Sequence, residues 1–312
     1  MNNENYEPRS ISLSGCKEIG RGQCATVMQI AEDRVVKMYF ESVPKEEILK
    51  EYDQTCEAYR LGINSEQCFG MVTGDNRLGI ELEFIKGESL QDAILKNPKN
   101  VSEYGKLMAE ELELINSKSP NPKLFPPISE FYLDCTKKCC QDGWLTSEEA
   151  QKIEKFIQAV PECNTMVHGD YHILNLMYLN NQIRLIDMAD CTTGNPIYDL
   201  MITNLYMHYA ASEHPEDFGM LFKISPEQGL SVWDAFVRCY FNTEDEARIS
   251  KINDILNVYS MLKHILAPYS YDNMDKSMFK RFVEMGRAGL MPKIEEYTGV
   301  IPAKITELGK GL

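Results

Sequence analysis

The chain has 312 residues and a formal charge of −15, from 47 acidic against 32 basic side chains. Such a field repels a phosphate backbone, which excludes nucleic acid as the main partner, and it favours a cationic small molecule or serves solubility alone. With 44% hydrophobic and 25% charged residues the composition is that of a globular protein, long enough for one large domain or two smaller ones.

The amino terminus, MNNENYEPRS, has neither a basic start nor an apolar stretch and does not read as a secretory signal. No apolar run reaches membrane-spanning length, so no membrane partner is expected. Three of the ten cysteines, Cys135, Cys139 and Cys140, cluster, but there is no CxxC pair and no histidine nearby to complete a zinc site. They read as reduced thiols, and the expected location is the cytoplasm.

In chain order, residues 11–40 read as strand, turn, strand, strand: Val27, Gln29 and the run from Arg34 to Phe40 are short, β-branched or aromatic, with Glu32-Asp33 between them. A helix is expected from Pro44 to about Leu61, capped by Ser42 and ended by Gly62. Two more strands fit Cys68–Thr73 and Arg77–Ile85, joined by Gly74-Asp75-Asn76. Beyond that the periodicity turns helical, over Ser89–Lys96, Val101–Ser117, Ser147–Val160, Tyr198–Ala211 and long parts of 228–297. The proline-rich stretch 119–129 reads as a connector or a surface loop. The switch at Ile85-Lys86-Gly87 sets the expected boundary between a nucleotide-binding lobe, 1–85, and a catalytic and substrate-binding lobe, 86–312. The expected fold class is α+β.

The segment Val167-His-Gly-Asp-Tyr-His-Ile-Leu-Asn-Leu-Met-Tyr178 places His168, Asp170 and Asn175 as HxDxxxxN. A hairpin follows, Met177–Leu179 and Ile183–Ile186 around Asn180-Asn181, residues that tolerate positive φ. It ends in Asp187, within Leu-Ile-Asp-Met-Ala-Asp190. Phosphoryl transfer asks for this set: a carboxylate to accept the substrate hydroxyl proton, and an amide plus a second carboxylate to coordinate magnesium on nucleotide phosphates. His172 is close enough in sequence to Asp170 to hydrogen-bond within the loop.

HGDYHILN followed by LIDMAD resembles the aminoglycoside phosphotransferase and choline kinase-like superfamily, over about residues 14–205 and most specifically around 167–199. The resemblance implies a two-lobed protein-kinase-like fold and an ATP- and Mg2+-dependent kinase acting on a small-molecule alcohol. It implies Asp170 as base, Asn175 and Asp187 as metal ligands, and Asp199, in Asn195-Pro-Ile-Tyr-Asp-Leu200, as a buttress of the catalytic loop. The superfamily often carries Pro-Gly where this chain has Ile173-Leu174. In the amino-terminal part, Gly20 and Gly22 of Ile-Gly-Arg-Gly-Gln-Cys-Ala-Thr-Val27 match a phosphate-approaching loop, though a turn glycine also explains them. Lys37, on the next strand, would face the α- and β-phosphates. Its acidic partner is Glu51 by the family's helix position, with Glu47 one turn away as rival. Glu83-Phe-Ile85 resembles the hinge whose backbone reads adenine. An atypical protein kinase and a degenerate nucleotide-binding module are the alternatives. The absence of DFG and APE signatures speaks against the first, and the presence of Lys37, Asp170, Asn175 and Asp187 against the second.

Overall fold

The computed structural model describes residues 7–22, 24–271 and 275–308, the last three by backbone only. Gln23 of the glycine-bearing segment and residues 1–6 of the amino terminus lie outside it. The chain divides into two compact units, residues 1–90 with 175–190, and residues 91–174 with 191–312.

The first unit is built on a six-stranded sheet of β1 (Arg9–Ser10), β2 (Lys17–Arg21), β3 (Ala25–Ala31), β4 (Arg34–Tyr39), β5 (Cys68–Gly74) and β6 (Arg77–Glu83). The order is β1-β5-β6-β4-β3-β2, antiparallel except for the short β1, which the sequence did not announce and which runs parallel to β5. The β5–β6 turn is made by Asp75 and Asn76, both with positive φ as a tight hairpin requires. On β4 the period of two sorts the side chains. Val35 and Tyr39 enter one apolar cluster with Ile48, Ile80 and Leu82, whereas Val36 and Met38 enter another with Leu13 and Val72. Lys37 shares the parity of Val35 and Tyr39.

Helix α1 (Lys45–Arg60) buries Ile48, Glu51, Thr55 and Ala58, a stripe at helical spacing that carries a carboxylate into the interior. Ser42 does not cap it. Pro44 takes the cap position without a side-chain hydrogen bond, and Glu46 and Glu47 in the first turn complement the helix dipole instead. Gly62 follows the helix at φ 77°. The segment 175–190 completes this unit as a hairpin of strands Leu176–Leu179 and Gln182–Leu185, turning at Asn180 and Asn181 with φ 53° and 60°. A short strand, Glu88–Ser89, pairs with its first strand. Gly87 belongs to that pairing: a Cβ there would lie 2.6 Å from the Tyr178 carbonyl oxygen.

The second unit is helical. Helix Ile128–Gln141 starts directly after Pro127, at the end of the stretch read as a connector or a surface loop, and its buried face Ile128, Tyr132, Cys135, Thr136 and Cys139 accounts for two of the clustered cysteines. None of the ten cysteines is joined in a disulfide. The helix expected over Tyr198–Ala211 is α-helical only from Ile197 to Asn204 and continues as a π-turn over Leu205–Ala210. No helix of the described residues is long and apolar enough to cross a membrane.

Buried in this unit, His264 shows how acid acts on the fold. Burial, with Lys263, His214 and Arg281 nearby, lowers its pKa from 6.5 to about 3. The unfolded chain therefore takes up a proton that the folded chain refuses as the pH falls from about 6.5 towards 3. Each unit of that fall costs roughly 1.4 kcal/mol from this group. Thermal unfolding midpoints should drop between pH 6.5 and 4.5, and His264→Gln should flatten the acid limb of that curve. An unchanged limb in the variant would assign the acid sensitivity elsewhere.

Candidate active site

In the first unit, Lys37 sits on the central strand β4, in register with Val27 of β3 and Ile80 of β6. Its ammonium lies 2.6 Å from Glu51 Oε1 and 3.3 Å from Asp187 Oδ1. Glu51 is thus the partner, and Glu47 is exposed on the helix. Burial works against the Lys37 charge, but Asp187 and Glu51 outweigh it and raise its pKa. Asp187 itself has φ 65°, a left-handed conformation uncommon outside glycine, asparagine and aspartate. Its side chain is about half exposed, 51%.

A parallel attachment holds this aspartate in place. The segment after Gly62 runs beside the second hairpin strand: Leu185 N–H donates to Asn64 O at 2.9 Å, and Ser65 bridges Leu185. Next along, the Asp187 backbone N–H donates to the Glu66 carboxylate. Arg184 clamps the arrangement with guanidinium bonds to Asn64 O (3.2 Å), Ser65 O (2.8 Å) and Glu83 Oε2 (2.8 Å). Glu66 was not singled out in the sequence. It has no periodic neighbours to mark it, and only the long-range bridge brings it here. Burial, with Asp187 and Glu51 close by, pushes its carboxyl up to about 8 against the pull of Lys37.

Of the other expected nucleotide contacts, Gly20 lies in β2 in register with Val27 of β3, and Gly22 directly follows the strand, its N–H bonded to Ala25 O at 2.9 Å. Neither has a positive φ, and a Cβ on either would meet nothing closer than 3.6 Å. Turn geometry therefore gives no reason for glycine at these two positions. At the end of β6, the Glu83 carboxylate is engaged by Arg184 and by Gln67 N–H, and Glu83 N–H bonds to Gln67 O. Ile85 is buried, 5% exposed. Asn175 opens the 175–190 segment, its carbonyl accepting Ile186 N–H at 3.1 Å.

In the second unit, Asp170 follows strand Thr165–Val167, which pairs antiparallel with Thr192–Gly194. The turn between strand and aspartate is fixed by Asp199, which is fully buried. Its two carboxylate oxygens accept His168 N–H at 3.1 Å, Gly169 N–H at 2.9 Å and the Asn116 amide at 3.0 Å. Asn116 is held in turn by the Tyr240 hydroxyl, 2.9 Å from its Oδ1. Tyr171 O accepts the Thr203 hydroxyl at 3.0 Å, and Tyr171 OH reaches Met108 O at 2.8 Å. On this scaffold the Asp170 carboxylate meets His172 Nε2 at 3.1 Å on one oxygen and Lys263 Nζ at 3.8 Å on the other. Burial opposes ionisation, but His172 and Lys263 more than offset it and hold Asp170 well below the usual carboxylate range. Lys263, the second residue the sequence left unmarked, stands in the last turn of helix Glu246–Ile265, where a lysine normally serves the helix dipole.

The sequence model of the Phosphotransferase enzyme family matches residues 15–234. The chain belongs to this family. Solved structures agree with this phosphotransferase in fold over nearly their whole length. The streptomycin–ATP ternary complex of APH(2'')-IIa is 18% identical, with a TM-score of 0.55, covering 90% of this chain and 93% of that one. A choline/ethanolamine kinase family protein from Mesorhizobium loti is 13% identical, with a TM-score of 0.57, covering 95% and 92%. The amicoumacin kinase hAmiN, solved with AMP-PNP, Ca2+ and Ami, is 14% identical, with a TM-score of 0.55, covering 96% and 94%. The fold is therefore the protein-kinase-like one that the resemblance implied. No curated protein matches the chain at a significant level.

Proposed function

We propose that the protein transfers the γ-phosphoryl group of ATP to a hydroxyl of a small molecule, with magnesium bound alongside the nucleotide. One observation carries this: Lys37, Glu51 and Asp187, 136 residues apart at the widest step from Glu51, form one ion cluster in the first unit. A buried pair explains Glu51, but neutralising a lysine that Glu51 already meets does not require Asp187 as well, and the half-exposed Asp187 carboxylate suits a metal ion.

The donor set fits magnesium. Among the described residues no three acidic, histidine or cysteine side chains form a metal cage. Magnesium asks for none, since it takes one or two carboxylates and fills its shell with water and phosphate oxygens. Asn175 and Asp187 would hold it, and when bound it would neutralise charge on the phosphates. Lys37 would pair with the α- and β-phosphates, and Glu51 keeps its ammonium charged and aimed. Gly20 and Gly22, which turn geometry leaves unexplained, would let backbone N–H groups approach the phosphates. The backbone at Glu83 and Ile85 would read adenine. Asp170 would accept the acceptor's hydroxyl proton.

The test is ADP release by the full chain with ATP and magnesium across a panel of alcohols, with calorimetry of nucleotide binding beside it. Wild type should bind ATP far more tightly with magnesium than without. Asp187→Asn should lose most of that metal dependence, a weakening of about tenfold or more, as expected when a charged metal ligand goes. If magnesium dependence is the same in wild type and variant, the metal assignment fails. If no ATP binds at all, so does the phosphotransferase assignment.

A further inference from the structure

Two ends of the proposed nucleotide site meet on one arginine. On strand Gln182–Leu185 the buried side chains are Ile183 and Leu185, so the period of two sends Arg184 to the opposite face. An arginine there usually reaches into water, yet this side chain is only 19% exposed. Its Nη1 and Nη2 donate to Glu83 Oε1 at 3.3 Å and Oε2 at 2.8 Å, the paired contact that a planar fork makes with a carboxylate. Nη2 also donates to Ser65 O at 2.8 Å, and Nε to Asn64 O at 3.2 Å.

On one side, Glu83 closes β6, where the backbone of Glu83 and Ile85 would read adenine. Gln67 N–H donates to Glu83 Oε2 at 3.2 Å, and Gln67 O accepts Glu83 N–H at 2.8 Å, so the residue is held through side chain and main chain alike. Burial opposes the Glu83 charge, but Arg184 and Gln67 N–H outweigh it and lower the pKa, which keeps the pair ionic at neutral pH. On the other side lies Asn64-Ser65-Glu66, which bridges Leu185 and whose glutamate accepts Asp187 N–H. Residues 64–67 therefore run from the metal carboxylate to the end of the adenine strand. All of these residues belong to the first unit.

Attaching the hairpin needs only apolar packing, which Ile183 and Leu185 supply. What the arginine adds is direction, since a rigid fork fixes distance and angle between Glu83 and the two carbonyls at once.

Resting on the nucleotide and magnesium site proposed above, we infer that Arg184 is a positioning residue that sets the Asp187 carboxylate against the adenine strand, so that base and metal are recognised together. An ATP seated by its base brings its phosphates to a carboxylate already in register, and magnesium binds the more tightly for it. Without the fork, each contact forms at the expense of the other.

The experiment is calorimetry of the full chain with adenosine, ATP and inorganic tripolyphosphate, each with and without magnesium. In the wild type, magnesium should tighten ATP more than tripolyphosphate, which has no base to seat. Arg184→Met should reduce the tightening of ATP about tenfold, the lower end of what outer-shell partners of a metal contribute, while the affinity for adenosine stays put. Arg184→Lys keeps the charge but not the fork and should show the same loss. Glu66→Gln, which keeps an acceptor for Asp187 N–H, should retain the wild-type tightening, and Glu66→Ala should not. If Arg184→Met does not fold, Arg184→Lys and Glu66→Ala carry the same test. Undiminished tightening in Arg184→Met overturns the inference. So does a loss shared equally by adenosine and Mg-ATP, and so does a wild type in which magnesium favours ATP no more than tripolyphosphate. A wild type that binds no ATP, or an Asp187→Asn variant with full magnesium dependence, counts instead against the site beneath the inference.

Discussion

Asp170→Asn should lower kcat by roughly 10²–10⁴-fold, the usual contribution of a positioned base, while ATP affinity stays within about threefold. That loss corresponds to about 3–5 kcal/mol of barrier. Asparagine keeps the size and one acceptor oxygen of the side chain, so the contact with His172 can survive, but it cannot take a proton. The neighbours of Asp170 sharpen the expectation. Because His172 and Lys263 hold the carboxylate well below the usual range, it is ionised throughout neutral pH. Its titration then contributes nothing to a rate profile between about pH 6 and 9, and any change there belongs to the acceptor or another group. A strongly depressed base is also a weak one. It suits a loose phosphoryl transfer, in which orienting the hydroxyl matters more than removing its proton early. Steady-state kinetics with any accepted alcohol, set beside nucleotide calorimetry, measures both halves of the prediction. Turnover unchanged in Asp170→Asn would remove the residue from the reaction.

Most of the candidate residues were marked in the sequence because they stand close together along the chain. His168, Asp170, Asn175 and Asp187 fall within twenty residues, and the asparagine pair at 180–181 marks the hairpin that joins them. Lys37 was marked by the order of loop, strand and later HxDxxxxN segment, and the structure adds that it shares the parity of Val35 and Tyr39, which enter the apolar cluster. The choice between Glu47 and Glu51 needed the helix face, since both follow the same local pattern and only the stripe Ile48, Glu51, Thr55, Ala58 is buried. Other features had no local signal. Glu66 lies in an irregular segment whose position is decided by pairing with Leu185, far along the chain. The helix from Ile128 was hidden by Pro126-Pro127, which read as a connector or a surface loop although a proline suits the start of a helix as well. Lys263 resembled any cation in a helix's last turn.

Asp199→Ala should produce the largest loss of stability among the residues discussed. The carboxylate is 0% exposed and satisfies two backbone N–H groups and the Asn116 amide. Removing it leaves three buried donors unmet and opens a cavity, a combination of about 3–5 kcal/mol. For a domain of this size that is a fall in the thermal midpoint of roughly 10 °C. Asp199→Asn should fall between wild type and alanine, because its carbonyl still accepts while its amide group faces donors. Tyr240→Phe, which removes only the hydroxyl on Asn116, should cost about 1 kcal/mol. The functional consequence follows from where the donors lie. His168 and Gly169 N–H fix the turn, with Gly169 at φ 84°, from which Asp170 projects. In Asp199→Asn, kcat should therefore fall by more than the folded fraction explains, while ATP affinity, for which groups of the first unit are proposed, should change little. Thermal midpoints and kinetics on the same preparations decide it. A midpoint near wild type in Asp199→Ala would mean that the catalytic turn is held by something other than this aspartate.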